Sequence, residues 1–379
     1  MMRHILYLAD PNSVHDIKWI SFFAHENQNT CFLLSRISHY CKFENSPHKN
    51  DVLRRGNFHL LPPIHDFSIA RFYRTIYEAY LIRKIILSNK IDVIHILYAE
   101  PNALWCLFRN YFSIPMIITT RGTDVLKTIP EAFKKKDVLN RLVSFAYKKA
   151  FDFADWITAT SLAQIESIVK FSQRTSRLTI VRTGVDIEQL RADTSNSLLS
   201  DDSDPFLLFP RYIKPIYNHE FCLAAIALLP LKIKRDYKMV FVGKGEGDLE
   251  YQEKLENLMS QQSEIRFEFL GVLRQEAILE LYKRASLVVM VPISDGSPVS
   301  GMEALLCGAK LILGPLEYDR DIFSHAVQLK QWDAKELADT IFRLLEGSVD
   351  GSKLPVTAEY AMDRSRNMKK MMEIYNMVC

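Results

Sequence analysis

The chain reads as an α/β protein of two doubly wound domains, and three features predict this. Short β-branched apolar runs alternate with amphipathic stretches along the chain, the pattern of parallel sheets covered by helices on both faces. Its 379 residues exceed what one hydrophobic core usually holds, so roughly two domains are expected. The alternation breaks at Arg191 to Pro205 (RADTSNSLLSDDSDP), where Ser and Asp dominate and no apolar period survives.

In the first half the expected strands are His4 to Leu8, Cys31 to Leu34, Val93 to Leu97, Met116 to Thr120, Trp156 to Thr160 and Leu178 to Val181. Helical periods run over Val14 to Phe23, Ile69 to Ser88 and Val138 to Phe151. The second half expects strands at Phe206 to Phe209, Lys238 to Val242, Arg266 to Leu270, Leu287 to Val291 and Lys310 to Gly314. Its helices are expected near Glu220 to Leu229, Leu249 to Gln261, Gln275 to Arg284 and Pro298 to Leu306, and a last helical pattern covers Ala358 to Val378. The domains are therefore drawn at 1–195 and 196–357, with a terminal helix at 358–379.

Composition, 48% hydrophobic and 25% charged, is that of a soluble globular protein. Six scattered cysteines have no paired C-x-x-C spacing, which argues against a zinc or redox site and for reduced thiols in a cytoplasmic protein. The opening MMRHILYLAD reads as a first strand rather than a signal peptide, and no apolar stretch approaches the roughly 20 residues of a spanning helix. Residues 1–190 carry 25 basic and 17 acidic side chains and the remainder 23 and 28, a net +8 against −5. A first domain meeting an anionic surface or substrate is one reading; drift among solvated side chains is the other.

The strongest constellation is LVVMVPISDGSPVSGMEALLCGAKLIL, which reads strand, loop, helix, turn, strand. Pro298 suits the first helical turn, with Ser297 or Ser300 as cap. Gly296 permits close backbone approach, and the free N–H groups of a helix start make a site for a diphosphate. Asp295 and Glu303 can reach the mouth of one pocket, where a carboxylate clamps the vicinal hydroxyls of a ribose. Equally, Ser300-x-x-Glu303 fits a capping box in which Glu303 only satisfies backbone donors.

This segment resembles the acidic-x7-acidic signature of the family 4 glycosyltransferases, with Asp295 in place of the usual first Glu. The resemblance implies the GT-B architecture, two doubly wound Rossmann-like domains facing a central cleft, with the terminal helix crossing back to the first domain. It implies that Glu303 binds the ribose, that Asp295 contacts the donor sugar, and that Gly296, Ser297, Pro298 and Val299 hold phosphate and sugar. FPRYIKPIYNHEFCLAAIALL (Phe209 to Leu229) is similar to the segment whose Arg and Lys neutralise the leaving diphosphate. Arg211 matches the Arg, Tyr217 stands where the Lys is usual, and Lys214 is the nearby substitute or a solvated loop charge. MVFVGKGEG (Met239 to Gly247) resembles the strand and glycine loop beneath the nucleotide, which brings in Gly243. FEFLGVLRQEAILELYKRASLVVMVPISDGSP (Phe267 to Pro298) would run the turn around Gly271 and Val272 past the base, with Leu273 and Arg274 beside it.

In the first half, TTRGTDV (Thr119 to Val125) resembles the family's H-G-[ST]-D-V segment, with Arg121 in place of a His near the donor sugar. Arg121 either pairs with a distinctive group on that sugar or forms a salt bridge with Asp124 or another neighbour. DPNSVHDIKWI (Asp10 to Ile20) follows the first strand and offers Asn12, Ser13 and His15 to the acceptor side, where His15 is as well read as structural. TATSLAQ (Thr158 to Gln164) and VRTGVD (Val181 to Asp186) resemble framework segments. Arg71, Arg74, Arg83 and Lys84 share a stretch with Tyr73, Tyr77 and Tyr80, and Lys134 to Lys136 form a second basic cluster. Such a stretch suits peripheral contact with anionic lipid, or simply core.

The resemblance implies a retaining, metal-independent glycosyltransferase. It would move a hexose from a UDP- or GDP-linked donor to a glycan or lipid-linked acceptor in surface polysaccharide biosynthesis, in the cytoplasm at the inner face of the membrane. No cofactor, metal or nucleic acid is expected, and D-S-D at Asp202 to Asp204 reads as linker. The alternatives are a nucleotide-sugar epimerase on the same fold and a non-catalytic nucleotide-sugar-binding subunit.

Overall fold

The computed structural model describes residues 2–379 except 26–28, 47–48, 135–136, 193–203, 244–247 and 348–353. The expected boundary at 195/196, Asp202 and Ser203 of the D-S-D triplet, Lys135, Lys136, and the loop glycines Gly245 and Gly247 lie outside the described residues. The chain divides into two units, Met1–Thr183 with Asn367–Cys379, and Gly184–Arg366.

Unit 1 is built on seven strands, β1 (His4–Leu8), β2 (Thr30–Leu34), β3 (His59–Leu60), β4 (Val93–Leu97), β5 (Met116–Thr119), β6 (Trp156–Ala159) and β7 (Leu178–Ile180). They form one parallel sheet in the order β3-β2-β1-β4-β5-β6-β7. Unit 2 repeats the plan with β8 (Phe206–Phe209), β9 (Lys238–Val242), β10 (Arg266–Leu270), β11 (Leu287–Met290), β12 (Leu311–Leu313) and β13 (Val327–Gln328). Their order is β10-β9-β8-β11-β12-β13, again all parallel. Alternate residues of each strand feed opposite cores, as a pleat requires. In β1, Leu6 and Leu8 face one cluster while Ile5 and Tyr7 face another; in β8, Leu207 and Phe209 separate likewise from Phe206 and Leu208.

Each sheet has one point where the strand order reverses, between β1 and β4 in unit 1 and between β8 and β11 in unit 2. The loops leaving the carboxyl ends of strands at such a point are where open α/β sheets bind ligands. The loops at these points are, in unit 2, those after Phe209 and Met290 and, in unit 1, those after Leu8 and Leu97.

The terminal helical pattern is two helices, Val356–Met362 and Arg364–Val378. Between them Asp363 pairs with Val185. Gly184 sits at φ +65, and a Cβ there would lie 2.7 Å from the Met362 carbonyl oxygen, so only glycine lets the chain pass so close. From Asn367 onward the last helix belongs to unit 1. Met368, Met371, Ile374 and Tyr375 are buried among Ile5, Tyr7, Trp19 and Phe23.

Tyr375 also enters a buried polar chain. Its hydroxyl lies 3.0 Å from that of Tyr7 and also meets His95 Nδ1; His95 Nε2 lies 2.6 Å from Thr119 Oγ1, which lies 2.6 Å from Thr158 Oγ1. Burial, with the charge of Arg121 adding to it, holds the His95 imidazole well below its usual pKa, so it is neutral in the fold. In unit 2 burial likewise lowers His219 to about 4. Both histidines take up a proton below pH ~6.5 only when the chain unfolds, so stability is lost as pH falls through that value. Asp16, raised by burial to about 6, works the other way, because the folded state then gains its proton first. Asp124 and Asp295, also raised by burial, act in the same sense as Asp16, so the prediction is read from the difference a histidine makes to the urea midpoint: between pH 7.5 and 5.5 each takes about 1 kcal/mol from the stability of its unit. His95→Gln should flatten the curve, and an unflattened curve would contradict the neutral assignment.

Candidate functional site

In unit 2 the turn after β8 places Arg211, and the loop after β11 places Asp295. Arg211 donates from Nη2 to Asp295 Oδ2 at 3.2 Å and from Nη1 to Ser300 Oγ at 2.6 Å. Its guanidinium lies 4.3 Å from the centre of the Tyr217 ring. Both side chains of the pair are largely buried. Burial opposes the charge of Arg211, but the Asp295 carboxylate and the Tyr217 phenol outweigh it and leave the guanidinium more firmly protonated than usual. Burial raises the Asp295 carboxyl above its ordinary range, against the pull of Arg211 and of the Gly296 N–H, which donates to Oδ1 at 2.8 Å.

The helix after this loop spans Val299–Leu306 with Pro298 itself at the cap position, not inside the first turn, and neither Ser297 nor Ser300 caps it. Ser300 is thus a helical residue whose hydroxyl serves Arg211, and a capping box from Ser300 to Glu303 has no place in this register. Buried Glu303 instead accepts from Gln275 Nε2 at 2.8 Å. The first N–H groups of the helix, at Val299 and Ser300, have no carbonyl within the helix to bond. Ser297 Oγ is buried without a partner among the described residues.

Around this centre, Gly243 follows β9 at φ +88, where a Cβ would lie 2.9 Å from Tyr212 Cα, so the residue must be glycine. Its N–H donates to the Gly271 carbonyl at 3.2 Å. Val272 is exposed after β10, while Leu273 packs against the unit 2 core. Lys214 is exposed, its ammonium 5.9 Å from the Tyr212 ring. The residue brought to Arg211 is Tyr217, not a second cation, and an aromatic face under a guanidinium is what makes the missing lysine intelligible.

In unit 1, Arg121 donates to Asp16 Oδ1 at 3.2 Å and to Thr183 Oγ1 at 2.9 Å, and its guanidinium lies 4.8 Å from the Trp19 ring. Asp16 is therefore the partner of the Arg121 side chain. Buried Asp124 accepts the backbone N–H groups of Ala99, Arg121, Gly122 and Val125. Asn12 ties the β1 loop down by donating to Asp10 and to the His39 carbonyl, and Ser13 Oγ accepts from the Asp16 N–H. His15 is exposed on the first turn of the helix Val14–His25. No motif in the sequence singles out Asp16, whose carboxylate pairs with Arg121; its place on the helix after β1 was the available signal.

Two family models match in order along the chain: "Glycosyl transferase 4-like" over residues 4–161 and "Glycosyl transferases group 1" over residues 191–368. An uncharacterized glycosyltransferase of Methanocaldococcus jannaschii is 25% identical over 72% of this chain and 68% of its own. A glycosyltransferase structure from Rickettsia africae superposes with a TM-score of 0.76 at 14% identity, covering 100% of this chain and 98% of that one. The Anabaena protein HepE in complex with UDP-glucose gives 0.69 at 15% identity, covering 100% of each. At such identity the two structures speak to the fold, which is GT-B. With both units matched in order and the fold shared, the chain belongs to the group 1 glycosyl transferases and is a glycosyltransferase of GT-B fold.

Proposed function

We propose that the protein moves a hexose from a UDP- or GDP-linked donor to a glycan or lipid-linked acceptor, with retention at the anomeric carbon and no metal, in the synthesis of surface polysaccharide. The observation that carries this is Arg211, fixed at the reversal point of the unit 2 sheet by Asp295, Ser300 and Tyr217. A diphosphate leaving group develops charge as its bond to the sugar breaks, and a preorganised cation with the N–H groups of a helix start is suited to receive it. Glu303 accepts from the ribose hydroxyls, and Asp295 meets the sugar. The acceptor hydroxyl attacks from the face the diphosphate leaves, where the departing phosphate oxygen is the nearest base for its proton. Gly243, Val272 and Leu273 border the nucleotide; Asn12, Ser13, His15 and Arg121 belong to the sugar or acceptor side. The UDP-glucose bound by the Anabaena protein supports a nucleotide-sugar donor.

Purified protein incubated with labelled donors should transfer label to glycan in membranes carrying lipid-linked acceptors, with little release in their absence. Epimerised sugar without acceptor, or donor binding without any turnover, would contradict transfer.

The lipid-linked acceptor calls for a unit 1 that rests on anionic membrane. No helix among the described residues is long and apolar enough to cross one. The helix Phe72–Asn89 buries Thr75, Glu78, Ala79, Ile82 and Ile86. Its outward stripe is also apolar: Phe72, Tyr73, Ile76, Tyr77 and Tyr80 are each more than half exposed. Arg71, Arg74 and Lys84 accompany it, and its sole acid, Glu78, faces inward to His65. An apolar stripe edged only with cations fits a lipid surface with negative headgroups. Cosedimentation with phosphatidylglycerol vesicles should drop severalfold in Tyr73→Ser/Tyr77→Ser and in high salt; equal sedimentation with neutral vesicles would contradict the charge term.

A further inference from the structure

Among the described residues the Tyr318 hydroxyl is buried with no hydrogen-bond partner, in a residue only 8% exposed. Such a group is a net cost to the fold and asks for a cause. Its position supplies one. β11 and β12 are parallel neighbours with Met290 opposite Leu313. Asp295 lies five residues beyond the first and Tyr318 five beyond the second, and the two loops start in contact, the Gly314 N–H donating to the Met290 carbonyl at 3.2 Å. The phenol feels the charges of both Asp295 and Arg211. An unpartnered hydroxyl is thus buried on the loop neighbouring the one that carries Asp295, within electrostatic reach of the ion pair to which the donor reading assigns the reaction.

We propose that Tyr318 is a specificity-determining contact to the transferred sugar of the nucleoside diphosphate sugar, an inference that rests on the donor site proposed above. A ligand group seated between Tyr318 and Asp295 must donate to a carboxylate and accept from a phenol. A sugar hydroxyl does both. A phosphate oxygen only accepts and would be repelled by Asp295, and it is already served by Arg211 and the start of the helix Val299–Leu306. The ribose hydroxyls, which do both as well, are assigned to Glu303 in the donor reading, so Tyr318 reads the transferred sugar and not the nucleotide. Removing its hydroxyl should cost the sugar conjugate affinity while sparing the free fold, since the free fold makes no use of it.

The test compares wild type with Tyr318→Phe by thermal melting and by titration with UDP, GDP, UDP-glucose, UDP-galactose, UDP-N-acetylglucosamine and GDP-mannose. The variant should melt at or above the wild-type temperature, bind the free nucleoside diphosphate within twofold of wild type, and bind the preferred conjugate about tenfold more weakly. A lowered melting point would show that the hydroxyl has a structural partner and overturn the proposal. Undiminished affinity for the conjugate, or equal losses for conjugate and nucleoside diphosphate, would overturn it too, while leaving the donor site intact. A wild-type protein that none of the six ligands binds would overturn the donor site and this inference together.

Discussion

Arg211→Ala is expected to lower kcat/KM for sugar transfer by about 10²–10³-fold, the usual loss when one preorganised donor to a developing negative charge is removed. Most of the loss should fall on kcat, because the charge on the leaving diphosphate grows toward the transition state. The variant also strands Asp295, a carboxyl already raised by burial, and an uncompensated buried charge destabilises by roughly 3–5 kcal/mol before it relaxes by protonation. Arg211→Ala/Asp295→Asn, set against Asp295→Asn alone, separates the two effects. Stability should return in the double variant while activity stays low; recovered activity would mean that Arg211 serves only to neutralise Asp295. Arg211→Lys keeps the charge but loses the fork that reaches Asp295 and Ser300 together, and should retain an intermediate rate.

The architecture was legible because buried parallel strands announce themselves as short continuous apolar runs. Phe206–Phe209 and Lys238–Val242 stand where their apolar runs place them. The strands that escaped, His59–Leu60 and Val327–Gln328, are two-residue edge strands with no run to detect. Asp295 and Glu303 were visible through spacing, but the cap was not: only backbone geometry shows the helix starting at Val299, which removes the capping box. The substitution at Tyr217 read as a missing cation. In space it is a ring under Arg211, a contact that depends on how the short turn Pro215–Tyr217 folds back and that no local pattern encodes. Arg121 was legible as half of a salt bridge, yet its partner Asp16 lies 105 residues away. Tyr318 carried no signal at all, since its interest lies in lacking a partner.

Deleting Asn367–Cys379 is expected to abolish the cooperative folding of unit 1. The deletion removes Met368, Met371, Ile374 and Tyr375, none more than 2% exposed. At about 1.5–3 kcal/mol for each large apolar side chain buried, the loss is roughly 6–12 kcal/mol, which is the whole stability of an ordinary domain. It also takes the Tyr375 hydroxyl from His95 and Tyr7. Unit 2 ends at Arg366 and keeps all six of its strands, so the damage should be confined to one unit. Hydrogen exchange should show β1, β4 and β5 losing protection while β8, β9 and β11 keep it, and donor binding, assigned to unit 2, should outlast transfer. Tyr375→Phe isolates the polar term: it keeps the ring in the core, leaves His95 Nδ1 and the Tyr7 hydroxyl short of a partner, and should cost about 1–3 kcal/mol. A truncated chain with unit 1 protection intact would show that these buried side chains do not hold the sheet, and the helix would then be an accessory to it.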